Sequence, residues 1–176
     1  ADVLMVDRIV NVVEEGFDVA VRIGPLPASG LSAVRVGQVR RIVCAAPEYL
    51  RKHGIPNTPA DLGAHQIVAA VPVSATAEWR FGDTAQTSVR VTPRLKVSSV
   101  AAAIDIARQG WGLVRVLSYQ VGPDLEDGSL HEVLQDHAPE PLPIHLVHVE
   151  GRRAPAKVRA FIDFARDRLR SHMVLR

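Results

Sequence analysis

The clearest pattern of apolar and polar positions lies at residues 18–25. Three β-branched apolar residues alternate there with other residues, and Gly24-Pro25 ends the run. This period-two alternation predicts a strand, and the Gly-Pro pair predicts the loop that closes it. An amphipathic run ending at Gly16 predicts a helix before the strand. Because loops at the carboxyl ends of strands line the ligand crevice of open α/β sheets, we expect a binding site near Arg22, Gly24 and Pro25.

Further apolar runs predict the other strands. They lie at 3–6, 31–46, 67–71, 79–81, 88–92, 94–97, 112–116, 130–134 and 144–149. Gly37-Gln38 predicts a turn or bulge within the second of these runs. Within the same run, Arg35, Arg40 and Arg41 are expected to face water.

Helix signals fall between these strands. Pro47 and Gly54 bracket a short helix, since proline suits a first turn and glycine a C-terminal end. Ser98-Ser99 caps a helix with a 3.6-residue apolar stripe, and Pro155 starts the last one. The stripe residues are Val100, Ala103, Ile104 and Ala107, and the buried face of the last helix is expected to be Val158, Phe161, Ile162, Ala165 and Leu169.

The order of elements predicts an α/β fold of two lobes, each a mixed sheet flanked by helices. Lobe I is expected to comprise residues 1–70 plus 150–176, and lobe II residues 71–149. Two crossover strands, 67–71 and 144–149, would join them. Because the chain opens inside a strand-like run without an initiator methionine, we expect it to be a fragment.

Composition narrows the function classes. The 176 residues carry a net charge of +2 with 47% hydrophobic and 23% charged residues, so a packed core is expected. This mild charge excess and the 5% aromatic content do not favour a nucleic-acid surface. Cys44 is the single cysteine, so no internal disulfide can form. Because Cys44 lies in an apolar strand, we expect a buried thiol. Without a run of about 18 apolar residues or a signal peptide, the sequence predicts a soluble cytoplasmic protein with no membrane partner.

Several motifs together resemble one known family. Residues 11–24, Asn-Val-Val-Glu-Glu-Gly-Phe-Asp-Val-Ala-Val-Arg-Ile-Gly, are similar to the pattern Asp-Leu-Val-x-Glu-Gly-x-Asp-Val-Ala-Ile-Arg-x-Gly of the effector-binding domain of LysR-type transcriptional regulators. Residues 45–62 resemble that family's Ala-Ser-Pro-x-Tyr-Leu segment and the Gly, Pro and Asp-Leu positions after it. Residues 107–113 resemble its Gly-x-Gly-(Ile/Leu) strand entry, and residues 155–161 resemble its final helix.

The resemblance implies a fold similar to type 2 periplasmic binding proteins, with a small molecule held between two lobes. It implies a domain that senses a small, anionic metabolite and thereby modulates DNA binding by the full-length protein. The expected partners are this effector, further copies in a homodimer or tetramer, and DNA only through an N-terminal winged helix-turn-helix. From the resemblance, we expect this sequence to lack that DNA-binding domain and the family's first strand and helix of lobe I.

Seven residues are candidates for ligand binding, and most have a structural alternative. The start of the helix at Ser98, Ser99 and Val100 offers free backbone amides to an anion, or the serines act only as caps. For Arg22 the alternatives are binding to an anion, exposure to solvent, or pairing with an acid such as Asp18. Gly24 and Pro25 are expected to shape the cleft wall through backbone. Arg115 enters the cleft or faces solvent.

The remaining chemistry-bearing residues favour structural roles. Trp79 is expected in the core, although it could wall the cleft. His145 and His148 are three apart and point to opposite faces of a strand, so a metal pair is not expected. No motif indicates catalytic residues, a metal or a cofactor, and the sequence predicts a protein that is not an enzyme. The alternatives are a solute-binding protein of a transporter and a small α/β enzyme.

Overall fold

The computed structural model describes residues 2–6, 8–27, 30–70, 78–82, 87–149 and 154–171. The strands in these ranges are β1 (Val19–Ile23), β2 (Ser32–Val39), β3 (Arg41–Ala45), β4 (Ile67–Ala70), β5 (Glu78–Phe81), β6 (Thr87–Arg90), β7 (Leu95–Val97), β8 (Leu113–Leu117), β9 (His131–Val133) and β10 (Leu142–His148). The α-helices are α1 (Pro47–His53), α2 (Val100–Arg108), α3 (Gly122–Asp127) and α4 (Ala156–Ser171). Short 3-10 helices lie at Pro59–Ala64, Ser118–Gln120 and Gln135–His137.

The chain forms two compact units. The first contains Ala1–Arg8 and Arg40–Glu140, and the second contains Ile9–Val39 and Pro141–Arg176. These bounds differ from the predicted lobes, which were divided at 70/71 and 149/150. The difference arises because β2 pairs with β10 in the second unit, whereas β3, which follows it directly, pairs with β8 and β9 in the first. The predicted crossover at 67–71 contains β4, which lies inside the sheet of the first unit.

The first unit is built on a mixed five-stranded sheet in the order β7-β4-β8-β3-β9. β4 runs parallel to β7 and β8, whereas β3 runs antiparallel to β8 and β9. Alternation along each strand gives the sheet two apolar faces. One face, with Cys44 and Val114, packs against α2, and the other, with Val43 and Leu113, packs against Trp79 of the β5–β6 hairpin. The core of this unit therefore lies on both sides of the sheet.

The second unit contains an antiparallel sheet in the order β1-β10-β2. Between Arg35 and Gly37 the register against β10 shifts by one residue, so the predicted irregularity near Gly37-Gln38 is confirmed as a bulge. α4 packs against β2 and buries Val158 and Ile162. This is the unit that carries the 18–25 strand.

Three local predictions differ from the structure. Residues 3–6 are exposed and form no strand. The predicted helix before Gly16 is a single turn, in which Glu15 N donates to the Asn11 carbonyl at 2.9 Å. Phe161 is 52% exposed, because the buried stripe of α4 is narrow and Phe161 lies about 100° around the helix from Ile162.

Candidate ligand-binding site

The start of α2 is well capped. Ser99 Oγ accepts a hydrogen bond from Ala102 N at 3.1 Å, as the capping alternative predicts. The side chain of Val100 is buried in the core and is not accessible to a ligand. Ser98 is exposed at the end of β7. Anion binding by these three residues stays a prediction.

Arg115 lies in β8 on the sheet face opposite α2. Its guanidinium carbon is 5.3 Å from the ring centroids of both Trp79 and Phe81. Its Nη2 donates to the Arg80 carbonyl at 2.8 Å. Arg115 is half-buried, and burial, followed by the charge of Arg41, lowers its pKa to about 10. The side chain is therefore fixed against the hairpin rather than free in solvent.

Arg41, which the sequence pattern predicts to face water, is a neighbour of Arg115. It is half-buried, and burial lowers its pKa. The signal that could have found it is alternation, because Arg41 is two residues before Val43 and shares its face of the sheet. The prediction that Arg41 faces water is therefore wrong, whereas Arg40 is exposed as expected.

The two candidate positions of the first unit lie on strands that flank β4 and run parallel to it. Ser98 follows the carboxyl end of β7, whereas Arg115 is the middle residue of β8. The start of α2 and Arg115 lie on different faces of the sheet. α2 packs with Val114 and Val116 on one face, whereas Arg115 contacts the β5–β6 hairpin on the other. The structure therefore does not bring Arg115 and the start of α2 together on one face of the sheet.

Arg22 in β1 is held by backbone rather than by an acid. Its Nη2 donates to the Val10 carbonyl, and Asp18 lies instead 3.4 Å from Lys157 Nζ, so the pairing with Asp18 is wrong. Arg22 Nε is buried without an acceptor among the described residues. His145 lies directly opposite Arg22 in β10, and its Nδ1 is buried without a described partner as well.

Gly24 extends the pairing of β1 by one residue. Its amide donates to the Pro143 carbonyl at 2.9 Å, and its φ of 108° is in the region that favours glycine. Pro25 follows and is exposed. Gly24 therefore makes a backbone contact at the end of β1, and the expectation that Gly24 and Pro25 shape a cleft wall stays a prediction.

The core positions expected for Trp79 and Cys44 are confirmed. Trp79 is 3% exposed and belongs to the core, and Cys44 is buried. Burial, with smaller contributions from Glu132 and Asp124, raises the pKa of the Cys44 thiol to about 12.

In the part of the chain that the structure describes, no three His, Cys, Asp or Glu residues are grouped as metal ligands. No helix within the described ranges has the length and apolar character needed to cross a bilayer.

Comparison with known families decides the fold family. Residues 2–170 match the model described as the LysR substrate binding domain. The chain belongs to this family. The LysR resemblance of residues 11–24 and the later motifs is thereby confirmed, and so is the α/β fold class.

Curated relatives of this LysR domain are transcriptional regulators. The chain is 29% identical over 162 residues to a probable HTH-type transcriptional regulator, LtrA, of Klebsiella pneumoniae, covering 90% of this chain and 52% of the relative. It is 30% identical over 161 residues to YhjC, an uncharacterised HTH-type transcriptional regulator of Escherichia coli, covering 90% and 54%. The chain therefore spans about half the length of these relatives.

A solved LysR regulatory domain has a similar structure. The regulatory domain of CrgA, a LysR-type transcriptional regulator from Neisseria meningitidis, superposes with a TM-score of 0.78 at 28% identity. The match covers 89% of this chain and 78% of the CrgA chain. The likeness therefore extends over nearly all of the domain.

Proposed function

We propose that this LysR effector-binding domain senses a small anionic metabolite and thereby modulates DNA binding by the full-length regulator. The observation that supports this function most strongly is the family match over residues 2–170. The names of the relatives, HTH-type transcriptional regulators, favour a regulator over a transporter's solute-binding protein or an α/β enzyme. The full-length protein would act in the cytoplasm as a homodimer or tetramer, with an N-terminal winged helix-turn-helix contacting DNA.

The proposed ligand contacts combine charge with backbone donors. In the first unit, the proposed contacts are the Arg115 guanidinium and the start of α2 at Ser98, Ser99 and Val100. In the second unit, they are the Arg22 guanidinium and the backbone of Gly24 and Pro25 beside it. Binding can regulate only if the metabolite has different affinities for two arrangements of the regulator.

Operator binding by the full-length regulator tests this function. Calorimetric screening of carboxylate and phosphate metabolites identifies ligands, and each ligand is then added to an operator-binding titration. We expect at least one ligand to change the operator dissociation constant about fivefold or more, the usual scale of allosteric coupling. Ligands that bind without any effect on operator affinity would contradict the proposal.

A further inference from the structure

We infer that Arg41 and Arg115 together form a binding site for a small oxyanion, a carboxylate or a phosphate, on one face of the five-stranded sheet. This inference rests on the proposed function and deepens it, because it adds Arg41 and names the chemical group that is recognised. All the residues that form the site belong to the first unit.

Strand pairing brings the two arginines together. Val43 lies opposite Arg115, and Arg41 lies opposite Leu117, in the antiparallel pair of β3 and β8. Alternation places all four side chains on one face, so Arg41 and Arg115 are diagonal neighbours with Cβ atoms about 7 Å apart. The electrostatic influence of Arg41 on Arg115 agrees with this short separation.

Other arginines of this unit have carboxylate partners, which Arg41 and Arg115 lack among the described residues. Arg40, on the opposite face, makes a two-bond ion pair with Glu132, with N–O distances of 2.7 and 2.9 Å. Arg108 makes a similar pair with Asp124. Among the described residues, no carboxylate forms an ion pair with Arg41 or Arg115. Two half-buried cations thus lie on one face of the sheet without a described counter-charge.

The environment of Arg115 prepares it for a ligand. Trp79 and Phe81 hold the plane of the guanidinium, and the Arg80 carbonyl accepts from one nitrogen. A guanidinium has five N–H donors, so donors remain after this bond. Because the side chain is already ordered, binding an anion costs little further rotamer entropy.

The energetics favour an oxyanion in particular. Removing two like charges from water and placing them side by side is unfavourable. A carboxylate or phosphate between them offsets both effects, and its oxygens accept charge-assisted hydrogen bonds from both guanidiniums. A monatomic anion such as chloride lacks the separate acceptor atoms for this bridging arrangement.

The test uses sodium phosphate and sodium succinate at constant ionic strength, with sodium chloride as the reference salt. Binding is followed by thermal unfolding and by tryptophan fluorescence in a Trp111→Phe background. Trp111 is 59% exposed, so this change leaves Trp79, which lies against Arg115, as the reporting tryptophan. The variants are Arg41→Gln and Arg115→Lys, with Arg51→Gln as the control. Arg51 is exposed on α1 in the same unit, and its replacement removes the same charge.

We expect phosphate or succinate to raise the unfolding temperature and to change Trp79 fluorescence, in wild type and Arg51→Gln alike. Arg41→Gln and Arg115→Lys should weaken binding at least about tenfold, as loss of a charged hydrogen bond predicts. Without either oxyanion, Arg41→Gln should unfold at a temperature no lower than wild type, since it removes a like-charge contact.

Two results would overturn the inferred site. One is that neither oxyanion stabilises the wild type more than chloride does, and the other is that Arg41→Gln binds the oxyanion as well as Arg51→Gln does. Arg41 is only half-buried, so this variant keeps the test decisive even if an Arg115 variant fails to fold. The operator titration is separate: an oxyanion that binds at the pair, in a regulator whose operator affinity never responds, supports this site and contradicts only the proposed function.

Discussion

Arg108 and Asp124 join α2 to α3 through a two-bond ion pair. Arg108 Nε donates to Asp124 Oδ1, and Nη2 donates to Oδ2 at 3.0 Å. Ser129 Oγ also donates to Oδ1 at 3.1 Å, and the Asp124 side chain is only 7% exposed. Hydrogen bonding from Arg108 holds the pKa of Asp124 below its usual value, against the opposing effect of burial.

Replacing Asp124 should therefore destabilise the first unit. We expect Asp124→Asn to lower the free energy of unfolding by about 2 kcal/mol, because it removes a charged acceptor from a nearly buried site. Asp105→Asn is the matched control, since Asp105 contacts the same Arg108 but its side chain is 60% exposed. Its effect should be below about 0.5 kcal/mol. Urea unfolding at neutral pH measures both, and equal losses would contradict the assignment.

The Asp124 pair also predicts an acid dependence. The folded pKa of Asp124 is depressed, so its contribution to stability is complete above the unfolded value of about 3.9 and is lost as pH falls through the folded pKa. The stability difference between wild type and Asp124→Asn should shrink below about pH 4. Urea unfolding at pH 3 and pH 7 compares them, and a constant difference would contradict this linkage.

His65 gives a second pH dependence with the same sign, at higher pH. Tyr49 Oη accepts from Gln66 N at 2.9 Å and lies 3.2 Å from His65 Nδ1, so its single hydrogen is available to a neutral His65. Burial, followed by the charge of His53, lowers the pKa of His65. Stability from this group is complete above the unfolded pKa of about 6.5 and is lost as pH falls through the folded value.

We therefore expect His65→Gln to lose less stability than wild type on acidification. Between pH 7.5 and pH 5, the difference should be about 1 kcal/mol or less, because His65 is half-exposed and solvent screens it. Thermal unfolding across this range measures the difference. Parallel pH profiles for the two proteins would exclude a role for His65.

Gly112 is required because a backbone group lies against it. A Cβ at this position would lie 2.4 Å from the Gln66 carbonyl oxygen. That oxygen is fixed, since it accepts from Leu113 N at 2.8 Å. Gly112→Ala should cost about 2 kcal/mol or more in unfolding free energy. Gly63→Ala, which meets nothing within 4 Å, should be nearly neutral by the same urea titration; a neutral Gly112→Ala would refute the contact.

Cys44 should be inert in the folded protein. Its thiol is buried, and its pKa is raised to about 12, so very little thiolate is present near neutral pH. A thiol reagent at pH 8 should modify it only as fast as the first unit opens, and rapidly in guanidinium chloride. Mass spectrometry measures the rate of modification. Fast modification of Cys44 without denaturant would contradict its burial.

Local signals predicted α2 well. Ser99 caps it, and its apolar stripe is buried as the 3.6-residue period requires. The information is contained in a few neighbouring residues, so no knowledge of distant pairing is needed. The same holds for α1, which Pro47 begins and Gly54 ends.

Strand partners could not be predicted in the same way. β3 and β4 are both short apolar strands. Their own residues do not indicate which of the two is the first strand after the boundary between the units. The boundary falls at β3 because of its pairing with β8 and β9, which are distant in sequence. Arg41 was assigned to solvent for a related reason: its charge suggested water, whereas the face it shares with Val43 decides its burial.

The pairing of β3 has a consequence for synthesis on the ribosome. Cys44 leaves the exit tunnel long before Val114, its partner in β8, and Glu132, its partner in β9, have been translated. Until then β3 has no strand beside it, and its apolar side chains are available to chaperones or to neighbouring nascent chains. We therefore expect slower elongation between β4 and β9 to lengthen the time for which these side chains remain without their partners.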